Sequence, residues 1–364
     1  MDKIKIALCV CSLDGGVGQI ILNYFDNMPG EEYEISIITQ DLVSELYKKK
    51  FEVRNFKIYK VPSKRESLYK NMKDMYDIMK SNKFNIVHAH MTLTNFFPLV
   101  VAKMCGIGIR ISHSHLAQKH TISSRFMAMI SRWVATDYFA CGVEAGKYLF
   151  GKKKFVIMNN AININDYRFN LSIRMEEREK YGVESDERIV GHIGRFSKQK
   201  NHMFLLNVFT QMYQQNNKLK LLLVGDGELL IDVKKEVEKR NISNHVIFTG
   251  AISDVHRKIQ MMDLFILPSL YEGLSIAAVE AQVNGLPCVL SNRVSIETKI
   301  NSNVEFYPLE GSLELWIKAC MNKIFEKRIE SDEIINTGFD IQEEADKLHK
   351  FYITKLEGEY NEKC

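Results

Sequence analysis

The stretch Asp263-Leu-Phe-Ile-Leu-Pro268-Ser-Leu-Tyr-Glu272-Gly273-Leu274-Ser275-Ile-Ala-Ala-Val-Glu280-Ala-Gln-Val-Asn-Gly285-Leu-Pro287-Cys-Val-Leu-Ser291 reads as strand, loop, helix, turn and strand. Leu264 to Leu267 is an uninterrupted apolar run stopped by Pro268. That pattern suits a strand buried on both faces, as in a parallel sheet. Ser275 to Asn284 is helix-forming, Gly285 and Pro287 end the helix, and Cys288 to Leu290 begins the next strand. Glu272 falls where the first strand ends, and Glu280 about a turn and a half into the helix. In an open parallel sheet, ligands bind outside the carboxyl ends of the strands, and a helix N-terminus there favours anions.

The same rhythm runs outward from this unit. Strands are predicted at 4–11, 34–38, 86–90, 109–113, 138–141 and 155–157, and again at 189–194, 220–224, 245–248, 264–267 and 288–290. Helical patterns fill most gaps, notably 203–213, 229–240 and 313–325. Alternation of this kind predicts an α/β chain with parallel sheets covered by helices on both faces. The series occurs twice, with a polar break at 159–172. A chain of 364 residues is long enough for two cores of this size. We therefore expect Rossmann-like domains at 1–165 and 166–341, followed by a last helix at 342–364.

Bulk properties narrow the class. Apolar residues make up 46% and charged residues 26%, which are globular values. The seven cysteines are scattered, odd in number and mostly set in apolar runs, which predicts buried thiols in a reducing cytoplasm. The N-terminal apolar run is brief and leads directly into Asp14-Gly15-Gly16, so it reads as a first strand rather than a signal peptide. No run is long enough to span a bilayer. The net charge of +4 is unevenly spread. Residues 1–165 hold 23 Lys and Arg against 14 Asp and Glu, and residues 166–364 hold 26 against 31. The basic half, with clusters at 48–50, 57–73 and 152–154, suits either an anionic membrane surface or ordinary solvation. No recognised module accompanies the charge, so nucleic acid is not expected as a partner.

Four further segments carry chemistry. Leu13-Asp14-Gly15-Gly16-Val17-Gly18 follows the first strand and opens a helix, so Gly15 and Gly16 could admit a phosphate to the backbone. It lacks the Gly-x-Gly-x-x-Gly dinucleotide fingerprint. Gly194-Arg195-Phe196-Ser-Lys198-Gln-Lys200-Asn201 places cations after a strand, where they can stabilise a diphosphate leaving group. Gly225-Asp226-Gly227 makes another strand-to-helix turn, and Phe248-Thr249-Gly250 follows the next strand. His88-Ala-His90 and His113-Ser-His115 lie at strand ends, where alternate side chains share a face. Each pair could chelate a metal, but the sequence has no Asp-x-Asp and no carboxylate beside either pair, so no metal is expected. Arg125 to Val134 reads as a helix burying Phe126, Met129, Ile130 and Trp133 in the core. A membrane-touching face is the alternative, because arginines flank the stripe.

The segment Pro268-Ser-Leu-Tyr-Glu272-Gly273-Leu, followed by Val-Glu280-Ala-Gln and Gly285-Leu-Pro287-Cys-Val, resembles the donor-site signature of retaining glycosyltransferases of the GT-B fold. It looks most like family 4 (glycosyltransferase group 1), used in capsular and exopolysaccharide assembly. The Gly194-Arg195 to Lys200-Asn201 element resembles the same family, and the likeness covers essentially the whole chain. It implies two Rossmann-like domains facing each other across a cleft, with the last helix returning to the first domain. It implies catalytic roles for Glu272, His113, Arg195 and Lys200. The donor site would comprise Gly15, Gly16, Arg195, Lys200, Gly225, Thr249, Gly273, Leu274, Ser275 and Glu280, with Glu280 on the ribose. His115 and His90 would lie on the acceptor side. In this loop the family usually has a larger polar residue where this chain has Gly18. The implied activity is metal-independent, cofactor-free transfer of a hexose-type sugar from a nucleoside diphosphate sugar, UDP-linked, to a lipid-linked saccharide. It would take place on the inner face of the cell membrane. The alternatives are a nucleotide-sugar epimerase or hydrolase of the same fold, or a non-catalytic partner subunit.

Overall fold

The computed structural model describes residues 3–14, 16–115, 121–311, 313–329 and 338–361. The chain forms two compact units, Met1–Ile162 with Gly338–Cys364, and Asn163–Thr337. The expected divisions at 165/166 and 341/342 move to these points because the chain leaves and re-enters the first unit side by side. The Ile162 amide donates to the Phe339 carbonyl (3.0 Å) and the Ile341 amide to the Ile162 carbonyl (3.1 Å).

The first unit runs β1 (Ile4–Val10), α1 (Gly16–Asp26), β2 (Tyr33–Thr39), α2 (Glu45–Glu52), β3 (Lys57–Lys60), α3 (Leu68–Asn82), β4 (Ile86–Ala89) and α4 (Phe96–Met104). It continues with β5 (Ile109–Ser114), α5 (Ile122–Val134), β6 (Asp137–Ala140), α6 (Val143–Phe150) and β7 (Val156–Ile157). The second unit runs α7 (Ile164–Tyr167), α8 (Leu171–Lys180), β8 (Arg188–Ile193), α9 (His202–Gln215), β9 (Leu219–Val224), α10 (Leu230–Lys239) and β10 (Val246–Gly250). After these come α11 (Val255–Met261), β11 (Leu264–Leu267), α12 (Ile276–Val283), β12 (Cys288–Ser291), β13 (Val304–Tyr307) and α13 (Leu313–Lys323), before α14 (Ile341–Asn361) rejoins the first unit.

Both sheets are parallel. Their orders are β3-β2-β1-β4-β5-β6-β7 and β10-β9-β8-β11-β12-β13. The strand order therefore reverses between β1 and β4 in one sheet and between β8 and β11 in the other. Such switch points open a crevice at the carboxyl ends of the strands. Leu264, Phe265, Ile266 and Leu267 are all completely buried, as the apolar run predicts.

Two strands escaped the sequence pattern, and both are sheet edges. Lys57-Ile-Tyr-Lys60 has lysines at its ends, and Val304-Glu-Phe-Tyr307 keeps Glu305 exposed. Charge on an edge strand blocks unwanted pairing and breaks the apolar signal.

The orientation of α5 corrects the sequence expectation. Phe126, Met129 and Trp133 face outward, 59%, 51% and 74% exposed. The buried face consists of Ser124, Ala128, Ser131 and Val134. These smaller side chains let the helix approach β5, where the Ser131 and Ser112 hydroxyls hydrogen-bond at 2.9 Å. α14 packs against α1 and buries Tyr352 completely within the first unit. Among the described residues, no helix is long and apolar enough to cross a membrane.

Candidate functional site

In the second unit the predicted cations and Glu272 meet at the switch point. The turn after β8 carries Arg195, Lys198 and Lys200, and the loop after β11 carries Glu272. Lys200 Nζ donates to Glu272 Oε2 at 2.7 Å, and both side chains are largely buried. The Ser269 hydroxyl donates to the same oxygen at 3.2 Å. Backbone bonds hold the loop on both sides. The Glu272 amide donates to the Arg293 carbonyl (3.1 Å), the Ser295 amide to the Glu272 carbonyl (3.2 Å) and the Leu270 amide to the Gln199 carbonyl (2.8 Å). The carboxylate and the ammonium therefore occupy fixed positions across the β8–β11 crevice.

Arg195 stands differently. Its side chain is mostly exposed and its Nε donates to Glu228 at 3.1 Å. An exposed pair of this kind contributes at most about 1 kcal/mol. An anion entering the turn can displace Glu228 with little loss.

The glycines of the next turn are structural. Gly225 has φ +139°, and a Cβ there would lie 2.1 Å from the Gly194 carbonyl oxygen. Gly227 has φ +156°, and its Cβ would meet the Phe196 carbonyl oxygen at 2.6 Å. The β9 turn can press against the β8 turn only with glycine at these positions, and this contact sets where Arg195 starts. On β10, the Thr249 hydroxyl donates to the Gly250 carbonyl at 2.9 Å.

Gly273, Leu274 and Ser275 lead into α12. Ser275 is the residue before the helix, and its side chain makes no capping bond. Glu280, further along α12, is buried. The Tyr167 hydroxyl donates to its Oε1 at 2.6 Å. Burial pushes the Glu280 carboxyl up to about 7, against the downward pull of that hydrogen bond. Sequence reasoning missed Tyr167, Gln199 and Ser269. Tyr167 lies 113 positions from Glu280 and belongs to no motif.

In the first unit, Gly16 opens α1, and Gly15 lies outside the described residues. Gly18 is required where it stands, because a Cβ there would lie 1.9 Å from the Leu13 carbonyl oxygen. The departure from a larger residue thus reflects how closely α1 follows β1.

The four histidines gather at the carboxyl ends of β4 and β5, next to the β1–β4 switch point. They form two layers. His88 Nε2 and His113 Nδ1 share a hydrogen bond at 3.1 Å, with ring planes 18° apart. His90 Nδ1 and His115 Nε2 share another at 2.9 Å, with planes 27° apart. The layers stack, with centroids 4.2 Å apart for His88 and His90 and 4.1 Å for His113 and His115. Burial lowers His88 to about 3 and His115 to about 4, and holds His90 and His113 well below the ordinary value, so all four rings are neutral near pH 7.

Nitrogens of His88, His90 and His113 lie within 4.8 Å of one another, near enough to suggest a metal. A metal held there would need their in-plane lone pairs to converge, and the three ring planes stand 18°, 26° and 39° apart. One nitrogen of each ring is paired with another histidine and His88 Nδ1 with the Tyr352 hydroxyl, while His113 Nε2 and His115 Nδ1 are buried with no hydrogen-bond partner among the described residues.

Comparison with known proteins agrees with this geometry. Residues 173–313 match the family model described as glycosyl transferases group 1. A Bacillus subtilis protein that carries the name glycosyltransferase EpsF is 27% identical over 95% of both chains. An Escherichia coli UDP-Gal:alpha-D-GlcNAc-diphosphoundecaprenol alpha-1,3-galactosyltransferase is 23% identical over 97% of both. Among solved structures, Anabaena HepE in complex with UDP superposes with a TM-score of 0.77 at 16% identity, covering 96% of this chain and all of that one. Residues 173–313 thus form a glycosyl transferases group 1 domain, and the chain, folded as two parallel-sheet α/β domains of the GT-B kind, is a glycosyltransferase.

Proposed function

We propose that the chain is a retaining, family-4 enzyme that moves a hexose-type sugar from a UDP-linked donor to a lipid-linked saccharide in surface polysaccharide synthesis. The observation that carries this reading is the Lys200–Glu272 pair fixed across the β8–β11 switch point, with Arg195 loosely held on the same turn. On this reading Arg195 and Lys200 bind the donor diphosphate and stabilise the charge that grows on it as the glycosidic bond breaks. Glu272 lies by the reacting sugar, and Glu280, with Tyr167 behind it, takes the ribose hydroxyls. Gly225 and Thr249 border the nucleotide, and Gly273, Leu274 and Ser275 line the donor phosphates and sugar. For the first unit, the family resemblance assigns a phosphate contact to Gly16 and a sugar contact to His113. His115 and His90 face the acceptor. Support for the UDP-linked donor comes from the HepE complexes with UDP and with UDP-glucose. Support for the lipid-linked acceptor comes from the name of the Escherichia coli relative. No metal or cofactor enters the scheme, because the two cations take the charge a metal would otherwise bear.

The test is a donor screen with and without a lipid-diphosphate saccharide. Transfer should require the acceptor, give retained anomeric configuration and survive EDTA. Product without acceptor would indicate an epimerase or hydrolase instead. Arg195→Ala or Lys200→Ala should lower turnover by about 100-fold or more, as for other fixed charge stabilisers. Near wild-type rates in both would remove the donor-site assignment.

A further inference from the structure

We infer that Tyr352, on the last helix, fixes the tautomer of His113 through His88 and so presents His113 Nε2 as a hydrogen-bond donor. The chain of contacts is continuous. The Tyr352 hydroxyl lies 2.8 Å from His88 Nδ1, and His88 Nε2 lies 3.1 Å from His113 Nδ1. Tyr352, His88 and His113 are all at most 1% exposed.

The direction of the chain follows from satisfying its polar atoms. A neutral imidazole carries one N–H and one acceptor nitrogen, and burial keeps both rings neutral. Two arrangements are then possible. In one, His113 Nδ1–H donates to His88 Nε2, and His88 Nδ1–H donates to the tyrosine oxygen. The tyrosine hydrogen then has no acceptor among the described residues, in a place closed to water. His113 Nε2 is left a bare acceptor as well, so two buried polar groups go unpaired, and each is costly. In the other, the tyrosine O–H donates to His88 Nδ1, and His88 Nε2–H donates to His113 Nδ1. Only one group, His113 Nε2–H, is then left without a partner among the described residues. The second arrangement makes the chain directional, and the hydroxyl of Tyr352 is what selects it.

The Asn95 side-chain amide supports the same end of the cluster. It donates to the His113 carbonyl at 2.8 Å and to the Ser112 hydroxyl at 3.0 Å, holding the backbone that carries the ring. A rigid ring with a buried, unpaired N–H is suited to an acceptor oxygen on the ligand, such as a sugar hydroxyl or ring oxygen. Tyr352 and His88 touch no substrate on this account and are positioning residues. The inference rests on reading His113 as a contact to the donor sugar.

The test has a structural and a kinetic arm. Long-range proton–nitrogen correlation spectra of histidine-labelled protein distinguish the two neutral tautomers, and His113→Gln identifies the His113 signal by its loss. In the wild type, His88 and His113 should both be Nε2-protonated. Tyr352→Phe keeps the ring and its packing but removes the hydroxyl. It should turn His113 into a mixture of tautomers and lower kcat by about ten-fold or more, with KM for the nucleotide sugar little changed. An Nδ1-protonated His113 in the wild type would overturn the inference, whether or not the variant folds. So would a Tyr352→Phe protein with unchanged tautomers. If instead the tautomers are as expected and His113→Gln turns over normally, the relay stands and the role of His113 at the sugar falls.

Discussion

Glu280 is a carboxyl group that the fold keeps from water, with one tyrosine hydroxyl for company. Burial pushes it up to about 7, so its charge changes within the working range of most enzymes. Only the ionised form can accept from two ribose hydroxyls without a competing proton. UDP affinity should therefore fall as pH drops from 8 to 6, by up to about ten-fold. Stability should move the other way. A carboxyl whose folded value is raised contributes stability that is fully present below its unfolded value, near 4.5, and lost as pH rises through 7. His192 and His202, buried and held low, oppose this trend, since they cost stability as pH falls below their unfolded range. Comparison with Glu280→Gln isolates the carboxyl and cancels the phosphate's own titration. Titration calorimetry at both pH values checks the affinity, and identical pH profiles for the two proteins would show that Glu280 does not hold the ribose. At this scale the sequence was informative where a residue sits in a contiguous motif. Glu272, Lys200 and Arg195 were legible because each lies in the turn that directly follows a strand, β11 for the first and β8 for the other two. Tyr167 and Tyr352 were not, because each reaches its partner from a distant helix.

The elements show what holds those turns in place. At the amino end of the second sheet, away from the ligand side, Asp263 is a largely buried anchor, its side chain 10% exposed. Its carboxylate receives Arg174 Nη2 at 2.7 Å, the Ile189 amide at 2.8 Å and Arg178 Nη1 at 3.3 Å. It thereby ties α8 to the starts of β8 and β11, the two strands whose far ends carry Lys200 and Glu272. Removing one partner from a buried charge network leaves the others uncompensated, and the usual cost is about 3–5 kcal/mol. Asp263→Ala should lower the urea midpoint accordingly, while UDP affinity in the absence of denaturant stays close to wild type. A midpoint shift under about 1 kcal/mol would mean that solvent screens the arginines. The decisive stretch of sequence begins with Asp263, yet its role could not be read there. The arginines that complete it come from α8, a helix that starts only as the polar break at 159–172 ends. The same limit explains the other misses. β3 and β13 are edge strands with charged residues, and α5 has two faces that hydrophobicity alone ranks in the wrong order. Small residues at Ser124, Ala128 and Ser131 mark the buried face because they permit close approach to β5.

At the scale of the whole molecule, charge and exposed apolar surface coincide in the first unit. Residues 1–165 carry an excess of nine positive charges and the remainder an excess of five negative ones. On α5, Phe126, Met129 and Trp133 project outward along one stripe, and the Lys103 ammonium sits 4.0 Å from the centre of the Trp133 ring. Arg132, on the same helix, donates to the Leu149 carbonyl at 3.1 Å, and the exposed Lys152, Lys153 and Lys154 follow three residues later. An aromatic stripe beside lysines suits the boundary between lipid headgroups and acyl chains. Each Lys or Arg near an anionic surface is worth about 1 kcal/mol, fading beyond a Debye length. We propose that this face docks the enzyme reversibly on an anionic membrane, where a lipid-linked acceptor resides. The chain has two tryptophans, and the other, Trp316, is buried in the second unit. A change in tryptophan emission on adding vesicles therefore reports Trp133. Anionic vesicles should sediment the protein and shift its emission to the blue, and neutral vesicles should do neither. Added salt should weaken binding. Changing Lys152, Lys153 and Lys154 to Gln should weaken it and flatten its salt dependence, because fewer counterions are then released. Changing Phe126, Met129 and Trp133 to Ser should abolish what salt leaves behind, with no loss of turnover on a soluble acceptor analogue. If sedimentation ignores lipid charge, or Trp133 emission stays fixed while the protein binds, the α5 face is ordinary exposed surface and the basic half serves solubility alone.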